Sequence, residues 1–302
     1  MDTTLIIFRQ TIMMFLYMAV GWGMYKKGLI TEEGNKSMAH LLLYVILPCV
    51  IIKSFCLERT ADNTETILWS FAGAAAVLLV SIAVSYVLFR KRPIDNFGAS
   101  FSNAGFMGIP LITAALGEKA VVYTAGMIAI LNALQWTYGQ MVLSGDRKTI
   151  LLKEVGKSPV VVALAAGLCI FLLRIPIPPV LTGSMGAIAQ LNAPIAMIIL
   201  GVYFANIELK EVLYDRNAWQ CSVIRLAVIP AVTIFILKRM FGDSPELGQT
   251  LLISAAAPVG SNVAVYAQKL KQDYGYAVKI VCLSTLLSMV SMPVVMHLYN
   301  FI

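Results

Sequence analysis

The chain has 302 residues, 59% of them hydrophobic and 13% charged, with a formal net charge of +7. A soluble domain carries about 25% charged residues, so this composition excludes a soluble protein and implies a polytopic membrane protein. The basic excess does not indicate nucleic acid, because Lys and Arg sit in short connections between apolar runs, where they set orientation in the bilayer.

Ten apolar runs follow in order: Leu5–Tyr25, Ser37–Lys53, Ile67–Phe89, Asn96–Leu116, Ala120–Ser144, Pro159–Leu173, Leu181–Ala205, Trp219–Lys238, Gly248–Gln268 and Gly275–Tyr299. The first is about 20 residues, the length that spans a hydrocarbon core. With only Arg9 basic and no small-residue cleavage site, it reads as a retained span and not as a signal peptide. Arg174, Pro176, Pro178 and Pro179 end the sixth run, the shortest. With the N-terminus outside, the inner connections hold fourteen Lys and Arg residues and the outer ones seven. That bias places both termini outside.

The basic stretch 146–157 is the seam. It separates a first five-helix repeat, 1–145, from a second, 158–302. An odd number of spans per half inverts one half relative to the other in the membrane. Pro48 and Pro110 lie 62 residues apart and Pro194 and Pro258 lie 64 apart, each pair in the second and fourth spans of its half. The short mixed stretches Leu151–Val155 and Leu209–Leu213 read as surface-lying turns or plain linkers.

Two runs are interrupted in matching places. In Phe101–Leu111, Pro110 has no N–H and its ring clashes with the Phe106 carbonyl. Gly105 and Gly108 weaken the same turn. In Ala257–Asn262, Pro258 and Gly260 do the same for the ninth run. Open backbone at membrane depth is tolerated only where it is buried in protein or lines a wet cavity, and a pair of such breaks points to the substrate site of a secondary transporter. Asn103 and Asn262 stand at the two breaks, either as ligands or as caps of the broken helices.

The run Met107-Gly108-Ile109-Pro110-Leu111 after Asn103 resembles the fourth span of the auxin efflux carrier family, which includes plant PIN-type carriers and bacterial dicarboxylate carriers. The ninth run, Arg225-Leu226 with Pro230, and Pro48 are similar to the same family, although plant members have a second proline where Val263 stands. The resemblance implies an all-α fold in which the fourth and ninth spans cross at their breaks, and a scaffold of spans 1, 2, 6 and 7. It also implies that spans 3–5 and 8–10 move past that scaffold as an elevator. It further implies that a carboxylate is held beside Asn103 and Asn262, with Asn132 at a further substrate-contacting position. A distant relation, the bile-acid sodium symporter fold, holds Na+ near the crossing.

The residues themselves favour an anion. No Asp or Glu lies mid-span, where carboxylates mark cation sites and proton relays. A broken helix presents N–H groups with partial positive charge, to which amide and hydroxyl donors add. The candidate substrate-binding residues are Asn103, Asn262, Asn132, Ser261, Gln135 and Tyr138, the last two open to a plain interhelical role. Gln190 and Asn192 are weaker candidates, and Arg225 and Lys279 read as snorkelling cations. Ser102 and Ser261 have no base nearby, so an enzyme is not expected. The scattered cysteines and two histidines give no metal or disulfide spacing. The sequence thus reads as a plasma-membrane carrier of a small organic anion, with an anion channel or membrane sensor as the alternative. It leaves Na+ or H+ coupling and association into a homodimer open.

Overall fold

The computed structural model describes residues 3–56, 60–145, 156–242 and 244–301. Among these, seven helices are long and apolar enough to cross a bilayer: α1 (Thr3–Lys26), α2 (Glu32–Ser54), α3 (Ala61–Phe89), α6 (Glu118–Ser144), α8 (Pro179–Ala205), α10 (Arg216–Phe241) and α13 (Tyr274–Phe301). Shorter helices complete the set: α4 (Pro93–Ser100), α5 (Ala104–Leu116), α7 (Pro159–Leu173), α9 (Leu209–Tyr214), α11 (Pro245–Ala256) and α12 (Asn262–Lys269). Each apolar run lies on one of these helices, except that the fourth is divided between α4 and α5 and the ninth between α11 and α12. The second run begins earlier than its apolar character shows, because Thr31 caps α2 by accepting from the Gly34 N–H at 3.0 Å. The mixed stretch after α8 forms the short helix α9, whose Glu211 pairs with Lys279 at 2.7 Å. Residues 146–155 of the seam lie outside the described residues.

Three interior prolines share one local solution. Five-residue π-turns, Leu42–Ile46, Ala104–Gly108 and Ile224–Val228, stand just ahead of Pro48, Pro110 and Pro230. In each, the residue before the proline donates to the carbonyl five residues back: Leu47 to Leu42, Ile109 to Ala104 and Ile229 to Ile224. The wider turn accommodates the ring and the missing N–H without ending the helix.

The helices pack in two groups. In one, α1 lies along α8, and α2 packs against α7 and α8. The closest approach is at Gly21 and Gly201, where an added Cβ would lie 2.2 Å from the Ile198 carbonyl oxygen and 2.1 Å from that of Met18 respectively. Small residues let membrane helices meet backbone to backbone in this way. The second group holds α3 to α6 and α10 to α13, with α3 on α6 and α10, and α13 on α10, α11 and α12. Its outward side chains, among them Leu79, Val87, Phe235 and Val290, are apolar and exposed, as contact with lipid requires.

Candidate functional site

The site is built where the two interrupted runs meet. The residue before a proline is pushed to extended backbone, and Ala257 ends α11 that way, at φ −55° and ψ 150°. Phe101 is extended after α4, at φ −118° and ψ 118°. The two open segments run antiparallel and pair through Ser102 and Val259. The Asn103 N–H donates to the Pro258 carbonyl at 2.8 Å, and the Gly260 N–H to that of Phe101 at 3.0 Å. The Ser284 hydroxyl takes the Val259 N–H at 3.1 Å. Gly260 permits the crossing, since a Cβ there would stand 3.1 Å from the Ser102 carbonyl oxygen.

This corrects the expected position of the first opening. Gly105 and Gly108 lie in the π-turn and Pro110 in the first turn of the α-helix beyond it, while the non-helical residues are Phe101 to Asn103. The bond network explains the shift: the strand-like segment is held by its partner in the ninth run, and the proline is absorbed by the π-turn. In that register Pro110 would have donated to the Gly105 carbonyl, which instead lies 3.5 Å from Nδ2 of Asn192 on α8. Pro258 and Gly260 fall within the second opening itself.

The crossing is polarised. Helices leave their last carbonyls and first N–H groups unpaired, with partial negative and positive charge respectively. α4 and α11 bring their carboxyl ends to one side, where Arg225 of α10 meets them. It is 1% exposed. Its Nε donates to Ala257 O at 3.1 Å, Nη1 to Ala99 O at 3.0 Å, and Nη2 to Ala255 O. The snorkelling reading of Arg225 is therefore overturned: its charge is held by three carbonyls inside the protein and does not reach the interface. An arginine deep in an apolar run was the available signal; its partners, 32, 126 and 30 residues away, gave none.

On the other side α5 and α12 begin. A small cavity opens there, lined by Ser102, Asn103, Ser261 and Asn262, by Asn132 of α6, and by apolar side chains of α2 and α7. Among the described residues, no charged side chain lines it. The Asn103 side chain does not cap α5; it is 5% exposed and its Nδ2 has no partner among the described residues. Asn262 Nδ2 donates to Gln135 Oε1 at 2.9 Å, leaving Gln135 Nε2 buried and unpartnered. The Ser102 hydroxyl is likewise unpartnered. Asn132 donates to its own helix at Ile128 O, 2.8 Å away. Tyr138 stands apart from the lining, with its hydroxyl on Asn96 Oδ1 at 2.9 Å. The cavity shares Ile109 with a wider vestibule, lined by Lys53, Glu118, Gln190 and Asn192.

An interior crossing of this kind, in a molecule of stacked apolar helices, defines a multi-pass membrane protein. The family described as membrane transport protein matches the chain over residues 6–159 and 147–296, and the chain belongs to it. This bears out the family resemblance of the fourth-span motif and makes the protein a transporter, not an enzyme. The chain is similar to a "Putative malonate transporter" of Rhizobium meliloti (strain 1021), at 24% identity over 292 residues and 91% of each chain. It is also similar to an "Uncharacterized transporter" of Methanothermobacter thermautotrophicus (strain Delta H), at 23% identity over 281 residues, 88% of this chain and 89% of the relative.

Proposed function

We propose that the protein is a secondary carrier of a small organic anion of the dicarboxylate class, with the carboxylate held at the helix crossing. One observation carries this reading. The amino ends of α5 and α12, with the unpartnered polar groups of Ser102 and Asn103, converge on one cavity that no charged side chain among the described residues lines. Buried donors without partners cost about 1–3 kcal/mol each, and a carboxylate oxygen would satisfy them. The malonate named for a relative fits this chemistry.

In this reading ten spans form two inverted repeats, 1–145 and 158–302, with both termini outside the plasma membrane. The cavity lies between the two packing groups, with α2 and α7 on one wall and the crossing on the other. Movement of the crossing group past α1, α2, α7 and α8 would expose the same site alternately on each side. The direct test is flux in proteoliposomes with radiolabelled malonate. A carrier gives saturable uptake and counterflow. Currents beyond carrier turnover would make the protein a channel, and binding without flux would make it a sensor; either result overturns the proposal.

A further inference from the structure

A carrier built on broken helices has two places for charge. Amino ends suit an anion, while unwound carbonyls and carboxyl ends suit a coupling Na+. The second place is already filled in this chain. The carbonyls of Ala99, Ala255 and Ala257, from the carboxyl ends of both α4 and α11, all accept from Arg225. Among the described residues no carboxylate pairs with that guanidinium, so its positive charge is balanced by main-chain dipoles alone. A guanidinium stays protonated in a protein. It therefore neither leaves nor gives up a proton during a transport cycle.

The remaining oxygens at the crossing do not compose a substitute. The Ser284 hydroxyl is committed to Val259 N–H and Val281 O. Ser102 and Ser254 offer unpartnered hydroxyls but no negative charge. A second cation beside Arg225 would meet like-charge repulsion in a medium that screens it poorly. The donor set therefore does not fit Na+.

We infer that Arg225 is a resident cation standing where a coupling Na+ would bind, so that anion transport by this chain proceeds without sodium. The inference rests on the carrier reading above and adds the identity of its cation. It predicts that a mobile guanidinium ion can fill the space left when the side chain is cut back.

The experiment uses the full-length protein, purified in detergent and reconstituted. Parent counterflow of the radiolabelled dicarboxylate should change less than about twofold when NaCl is replaced by choline chloride, well below the tenfold that 1.4 kcal/mol of coupling would give. R225A should lose about tenfold or more in flux, given three buried carbonyls left unpaired. Guanidinium chloride below denaturing concentration should raise the melting temperature of R225A, and restore part of its flux, while leaving the parent unchanged. R225K, with a point charge in place of a planar fork, should be intermediate and unresponsive to guanidinium. Sodium-dependent flux or sodium-dependent thermal stabilisation of the parent would overturn the inference. So would an R225A protein that matches the parent, or one that folds and ignores guanidinium. If R225A does not fold, the parent's cation dependence and the R225K melting curve still decide. Absence of carboxylate flux from the parent in every salt would sink the carrier reading instead, and the melting curves would continue to report on Arg225.

Discussion

The two sides of the helix crossing are made from the same kind of material and finished differently. On the side of α4 and α11, carbonyls converge and a side chain of the protein itself, Arg225, satisfies them. On the side of α5 and α12, amide and hydroxyl donors converge and several have no partner. A fold selected only for stability would close both sides alike, because a buried unpaired group costs about as much as a hydrogen bond is worth. Under the carrier reading, the contrast separates a permanent constituent from a place kept for something that comes and goes. It also predicts that mutations on the two sides fail in different ways.

The largest effect belongs to the closed side. Arg225→Met would orphan the carbonyls of Ala99, Ala255 and Ala257, at about 1–3 kcal/mol each. Thermal unfolding in detergent should show a large fall in melting temperature, or no folded protein. A stable Arg225→Met variant would remove the distinction between the two sides.

On the open side Asn103→Ala should do the opposite. Its Nδ2 has no protein partner to lose, so the melting temperature should hold, while affinity for a carboxylate falls about tenfold, or 1.4 kcal/mol. Asn262→Ala should match it in binding but cost some stability as well, because its amide supports Gln135 at 2.9 Å. Isothermal titration beside a melting curve separates the two quantities. Unchanged affinity in both variants would place the anion elsewhere.

Gly260→Ala tests the seam between the sides. Its new Cβ would lie 3.1 Å from the Ser102 carbonyl oxygen. The paired segments must give by a few tenths of an ångström, which should destabilise by about 1 kcal/mol and lower flux and stability together. The smallest effect is expected from Tyr138→Phe, which removes one bond to Asn96 outside the cavity lining. Stability should fall by about 0.5–1.5 kcal/mol, with carboxylate affinity unchanged. A selective loss of affinity would return Tyr138 to the site.

What could be read in advance divides along the same line. The apolar runs, the two interruptions and the asparagines beside them were legible because each is a local property of a few consecutive residues. Pro258 and Gly260 lie within the second opening. The first opening was displaced from its proline because what holds Phe101 to Asn103 open is a partner near residue 259. Arg225 was visible as an anomaly but not as a clamp, since its acceptors are main-chain atoms that every sequence possesses. Gln135 and Tyr138 looked equivalent on α6, yet one accepts from Asn262 at the crossing and the other bonds Asn96. That difference depends on which neighbour each side chain meets, and periodicity alone does not contain it.

The guanidinium on α10 also bears on how voltage would act on the carrier. It belongs to the same packing group as the crossing, so under the elevator reading it travels whenever the crossing does. An unloaded carrier would then shift a positive charge through the field, a carrier holding a monoanion none, and one holding a dianion a negative charge. At about 2.3 kcal/mol per charge per 100 mV, the membrane potential would favour opposite faces for the empty and dianion-loaded forms.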